Sequence, residues 1–222
     1  MAALTEVKRV ENAILYTDGK QPFIKLLNVR ESFPKLGHPE PEEDDDGNPR
    51  LDARGKQKMR YSGVFMAPKE THEAAKKLCV EVINKLMADN DVKVATDKKF
   101  IKNGDDETRA EYEGHWIINA GESKRPACRD RRGELIQDPD EVDDMFFAGS
   151  IVNVMIRPWY FNGKAKGAKK EYPKRISAGL VGVQFVKDDG VNFGGSSVDD
   201  TDAWGAVEGE DGGNDIDADE DL

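Results

Sequence analysis

From Asp188 onward the chain carries 13 acidic residues and no basic one. The larger apolar side chains there are only Val191, Phe193, Val198, Trp204, Val207, Ile216 and Leu222. A segment of this composition cannot bury enough surface to offset the entropy of ordering it, so residues 188–222 are expected to be a disordered acidic tail. The fold must then be built from residues 1–187. The formal charge of -11 is a poor guide to that body, because residues 1–187 hold 33 basic against 31 acidic residues. Setting aside the run Glu40, Glu42, Glu43, Asp44, Asp45 and Asp46 brings the remainder to +8, a sign that attracts polyanions.

No apolar run approaches the roughly 20 residues of a membrane span, and residues 1–20 lack the basic-then-apolar pattern of a signal peptide. Two cysteines, Cys79 and Cys128, form neither a disulfide framework nor a zinc spacing, and there is no Asn-x-Ser/Thr site. These features predict a soluble intracellular protein without a membrane partner.

Strand patterns dominate the body. Thr5 to Phe33 reads as two strand-like pieces separated by Asp18-Gly19-Lys20, a hairpin signal. Residues 37–57 turn to Pro, Gly and acid and are expected to be a surface loop insertion. Lys58 to Met66 returns to strand character. Thr71 to Asp89 then places Ala75, Leu78, Cys79, Val82, Ile83, Leu86 and Met87 on one broad stripe, which predicts a helix plugging a sheet or barrel. Residues 90–114 are polar and irregular, His115 to Ala120 is a short strand, and Lys124 to Asp140 is a basic loop. Ser150 to Phe161 and Arg175 to Val186 are the most strand-like segments, joined by the Gly/Lys loop 162–174. Strands first, one inserted helix, then a strand pair predicts an all-β, five-stranded OB-fold barrel with extended loops.

In Ser150 to Phe161, Val152, Val154 and Ile156 alternate with Asn153, Met155, Arg157 and Trp159, giving one buried face and one polar face with an aromatic. Trp159, Tyr160 and Phe161 then run into Lys164, Lys166, Lys169, Lys170, Tyr172 and Arg175. Aromatic faces stack bases of any sequence, and flanking cations track phosphates, so this stretch is the leading candidate for a single-stranded nucleic-acid site. Consecutive aromatics straddle two faces, and Tyr160 is the expected core member. Lys58, Arg60, Tyr61 and Trp116 are further candidates, whereas Phe65 is expected in the core. Other basic clusters, Arg50 to Arg60, Lys93 to Lys102 and Lys124 to Arg132, either line the same groove or are solvated beside nearby acids.

No catalytic constellation stands out. His38, His72 and His115 are far apart, and no phosphate loop or EF-hand is complete, so neither an enzyme nor a metal or other cofactor is expected. Two rivals remain: an acidic interaction protein such as a histone-like chaperone or DNA mimic, and a nuclease using carboxylate-bound magnesium.

The run from Gly149 through Arg157-Pro-Trp-Tyr-Phe-Asn-Gly163, with Arg175-Ile-Ser-Ala-Gly-Leu-Val-Gly-Val-Gln-Phe-Val-Lys-Asp188 and Gly190 to Gly195, resembles the final strand pair of bacteriophage single-stranded DNA-binding proteins. The resemblance implies an OB-fold that coats single-stranded DNA without strong sequence preference in replication, recombination or repair, in the host cytoplasm. It places Arg157, Trp159, Tyr160, Phe161 and the following lysines on the DNA-facing strand and loop. It also implies that the tail recruits a DNA polymerase or other replication proteins, through Trp204 and the end Asp215, Asp217, Asp219, Glu220, Asp221 and Leu222. Unlike many such tails, this one ends on Leu222, not on an aromatic residue.

Overall fold

The computed structural model describes residues 3–43, 47–52, 54–164, 171–191 and 193. Strands β1 (Thr5–Val10) and β2 (Ala13–Thr17) form a hairpin that the sequence pattern shows only as one strand-like piece. It turns through Asn12 at φ 57°, a conformation asparagine tolerates better than most side chains. The expected turn at Asp18-Gly19 is present: the Asp18 carboxylate accepts from the Lys20 and Gln21 amides, each at 2.8 Å, and leads into β3 (Pro22–Pro41).

The long strand β3 organises the sheet. It pairs antiparallel with β2, with β8 (Ile151–Phe161) and with β4 (Met59–Pro68). Its far end runs past Gly37, where a loop was expected, because Lys35, Glu40 and Pro41 pair with Ser62, Arg60 and Met59. The insertion continues as an arm closed by the bridges Glu43 to Pro49 and Leu51 to Gln57. Helix α1 (Lys69–Asp89) follows β4, and then β5 (Ile101–Asn103), β6 (His115–Glu122), β7 (Ala127–Arg129), helix α2 (Pro139–Met145), β8 and β9 (Arg175–Lys187).

All pairings are antiparallel except that of β7 with β9, and the order is β5-β6-β4-β3-β8-β9-β7 with the β1–β2 hairpin attached to β3. The all-β character and the main inserted helix agree with expectation, but the described sheet has nine strands and not five. Strands β5 and β7 have three residues each, too few to show a period, and pairing with a neighbour defines them. A parallel bridge from Lys99 to Ile176 brings the chain just before β5 back onto β9, curling the sheet toward itself.

The core lies between this curled sheet and α1. Ala75, Leu78, Cys79, Val82 and Ile83 are buried as the stripe requires, together with Ile24, Leu26, Phe65, Val152, Val154 and Ile156. Each large apolar side chain so buried stabilises the fold by about 1.5–3 kcal/mol. His72 is also structural: it is buried, its Nε2 lies 2.8 Å from the Leu27 carbonyl, and burial pushes its pKa down.

The first residues beyond β9 lie on the body. Arg30 donates to both Asp189 oxygens, at 2.8 and 2.7 Å, and to the Gly149 carbonyl at 2.6 Å. This pairing holds the Asp189 carboxyl down at about 2. Phe193 donates its amide to the Ala148 carbonyl and packs with Met66, Tyr112 and Ile117.

Candidate nucleic-acid interface

At the end of the sheet where Lys99 meets Ile176, a cleft of about 1070 Å³ opens. Its floor is made of the start of β4 (Met59, Arg60), the end of β6 (Asn119, Gly121, Glu122) and the start of β9 (Arg175–Ala178). Trp159 and Phe161 close it along β8, and the arm (Arg50, Leu51, Lys58) and the segment Lys98 to Lys102 form walls. Seven basic residues line it against four acidic ones, so its field favours a polyanion although the whole chain is acidic.

The aromatic residues owe their positions to the strand. Val152, Val154 and Ile156 are fully buried, and the buried Pro158 continues that face, so Trp159 emerges on the other side at 38% exposure. The register with β9 shifts between Ile151 and Val152 and again between Met155 and Ile156, and is regular from Ile156 to Phe161, Pro158 included. Trp159 meets Phe161 edge-on, with centroids 6.0 Å apart and planes at 83°. The Arg175 guanidinium lies 4.7 Å from the Phe161 ring centre and the Arg50 guanidinium 5.5 Å from that of Tyr172. Aromatic faces alternating with guanidinium planes suit stacking of bases beside phosphate neutralisation.

Of the sequence candidates, the cleft brings together Lys58, Arg60, Trp159, Phe161, Tyr172 and Arg175. Tyr61 and Lys164 do not line it, and Tyr160 packs against the core as expected. Trp116 is elsewhere: it is partly buried against the core, with the Lys69 and Lys76 ammonium groups 4.9 and 4.7 Å from its ring centre. Arg157 does not line the cleft itself but pairs with a residue that does, its guanidinium 2.9 Å from Glu122. Lys166, Lys169, Lys170 and the tail candidates Trp204, Asp215, Asp217, Asp219, Glu220, Asp221 and Leu222 lie outside the described residues.

Lys98, Lys99 and Lys102, known from sequence only as one basic cluster among several, prove to be cleft residues. The Lys124 to Arg132 cluster is not in the cleft: Arg125 donates to the Gln137 and Asp138 carbonyls and Arg129 to that of Gly133. Asn119, Ser123 and Ser177 line the cleft without any sequence signal, being single polar residues near strand ends. Among the described residues no group of three or more His, Cys, Asp or Glu is placed to hold a metal.

A family model described as "Enterobacter phage Enc34, ssDNA-binding protein" matches residues 24–214. The solved structure of the single-stranded DNA-binding protein from bacteriophage Enc34 is 35% identical, with 90% of this chain and 98% of that chain covered and a TM-score of 0.71. The same phage protein in complex with ssDNA is 34% identical over 86% of this chain and 98% of that one, with a TM-score of 0.71. Its C-terminal truncation is 35% identical over 84% and 96%, with a TM-score of 0.70. No curated protein matches. With most of its length matched by the family model and by a relative above 30% identity, the chain belongs to the family of the phage Enc34 ssDNA-binding protein.

Proposed function

We propose that this protein binds single-stranded DNA along the cleft at the Lys99–Ile176 end of its sheet, without strong sequence preference, and coats it during phage DNA replication, recombination or repair in the host cytoplasm. The observation that carries this reading is the cleft itself, in which Trp159, Phe161 and Tyr172 stand among Arg50, Lys58, Arg60, Lys98, Lys99, Lys102 and Arg175. The solved complex of the phage Enc34 protein with ssDNA supports the same ligand class for this family. Trp159, Phe161 and Tyr172 stack bases, while Lys58, Arg60, Lys99 and Arg175 neutralise phosphates, with Lys164, Lys166, Lys169 and Lys170 extending the path along the 162–174 loop. The curled sheet is an elaborated OB barrel: the arm flanks the cleft, and α1 plugs the core. No catalysis is needed for this role.

The folded unit is residues 1–187 together with the Asp188–Phe193 segment docked by Arg30, and the acidic tail follows it. A polyanion tethered to a basic cleft competes with DNA at high effective concentration, and a tail displaced by a strand is free to recruit replication proteins.

Fluorescence anisotropy of a labelled oligothymidine, with a duplex control, tests the reading on the full chain and on a truncation after Phe193. Strand-selective binding that weakens steeply with salt and strengthens without the tail is expected. With about four phosphates neutralised, by Lys58, Arg60, Lys99 and Arg175 alone, log K should fall with log salt at a slope of about -3, and more steeply, toward about -6, if Lys164, Lys166, Lys169 and Lys170 also contribute. A full chain and a truncation that both leave the oligonucleotide unbound would point instead to an acidic protein-interaction role.

A further inference from the structure

One acid stands on the floor of this basic cleft. Glu42, Asp52 and Asp97 belong to the arm and to the turn before β5, but Glu122 is a residue of β6. Its carboxylate is held on both sides. One oxygen accepts from the Arg157 guanidinium at 2.9 Å, and the other accepts from the Ser123 amide at 3.0 Å and hydroxyl at 3.3 Å. The pair sits next to Gly179 of β9. A β-carbon on Gly179, the cross-strand partner of Arg157, would stand 3.1 Å from Glu122 and 3.3 Å from the Arg157 guanidinium. Arg157 Nε is buried without a hydrogen-bond partner among the described residues, but the side chain as a whole is 37% exposed, so it can be reached from solvent once Glu122 no longer engages it.

An acid that lowers the affinity of a polyanion site needs a reason to be there, and geometry supplies one. Single-stranded DNA can turn its bases toward Trp159 and Phe161 along β8 and leave its phosphates on the basic side chains around them. A duplex cannot, because its bases are paired inside and it meets any surface with its phosphates first. A phosphate pressed onto the floor at β6 meets Glu122, which also neutralises the Arg157 guanidinium beside it. Resting on the single-strand reading above, we infer that Glu122 is a selectivity residue: as resident counter-ion of Arg157 it penalises a phosphate backbone on the cleft floor and so favours single strands over duplex. Discrimination of this kind comes from repelling the wrong ligand as well as attracting the right one.

The test compares oligothymidine and duplex binding by the full chain carrying Glu122→Gln, Arg157→Gln or both, across a salt series. Glu122→Gln removes the repulsion and releases Arg157. Duplex affinity should rise about tenfold, the worth of one charge-assisted hydrogen bond. Its salt slope should steepen by about 0.9, for one more phosphate neutralised on B-form DNA. Oligothymidine affinity should change by less than threefold, about half of the 1.4 kcal/mol that a tenfold change represents. Adding Arg157→Gln should return duplex affinity toward that of the unaltered protein, because the new phosphate interaction depends on the released guanidinium. Equal rises for both ligands, or no rise for duplex, would overturn the inference. If the unaltered protein fails to bind oligothymidine, the single-strand reading itself falls, an outcome visible before any variant is made.

Discussion

The guanidinium of Arg60 occupies the space that a β-carbon on Gly121 would need. Arg60 is the second residue of β4 and Gly121 lies near the end of β6, so a gap in one strand seats a cleft cation of its neighbour. Gly121 is not among the residues with positive φ, so its role is steric. Gly121→Ala should keep the fold, since the end of a flexible side chain and no backbone must move. The displaced Arg60 should cost one phosphate interaction, making the oligothymidine salt slope shallower by about 0.7. Thermal melting and anisotropy on the same sample check both halves, and an unchanged slope would remove Arg60 from the phosphate path.

Trp159 and Tyr160 are neighbours in opposite surroundings. Trp159 is exposed in the cleft, so Trp159→Ala should leave melting almost unchanged. It should weaken binding to every single-stranded sequence alike by about 1–3 kcal/mol. Tyr160 packs against the core, so Tyr160→Ala should lower stability by about 1–3 kcal/mol. Denaturant titrations paired with binding curves separate the two, and normal binding by Trp159→Ala would refute the stacking role.

The ring of Trp116 lies between elements, next to the Lys69 and Lys76 ammonium groups from the first half of α1. Cation–π interactions of this sort contribute about 0.5–1 kcal/mol each. Trp116→Ala should therefore lower the unfolding midpoint and leave oligothymidine affinity of the folded fraction unchanged. A loss of affinity at full folding would return Trp116 to the DNA path.

Glu31 is fully buried, and neither of its carboxylate oxygens has a hydrogen-bond partner among the described residues. Burial pushes its pKa up from 4.5 to about 8. Between those values the native protein holds a proton that the unfolded chain has lost. Stability should fall as pH rises from about 4.5 through 8, by a total on the order of a few kcal/mol. Glu31→Gln should flatten that dependence. Urea unfolding of both proteins at pH 5, 6.5 and 8 measures it, and parallel curves would refute the account. The ionised Asp189 contributes with the opposite sign, but only as pH falls below about 4 toward 2, outside this window.

Local pattern was enough to determine the helix stripe of α1, the alternation that buries Val152, Val154 and Ile156, the Asp18-Gly19 turn and the aromatic-basic stretch from Trp159 to Arg175. Each of these is written within a few residues at a period of 3.6 or 2, or in the chemistry of one turn. Strands β5 and β7 were not legible, because three residues carry no period and a partner strand defines them. Nor was the membership of the cleft. Lys99 and Arg175 are far apart in sequence and meet only because the chain before β5 bridges to Ile176, whereas the equally basic Arg125 and Arg129 are drawn away to carbonyls of their own loop. Arg157 shows the same limit most sharply. Strand parity sends it toward the cleft side, but only the tertiary pairing of β6 with β4 brings Glu122 to its guanidinium, and proximity between strands distant in sequence decides which charges remain available to a ligand.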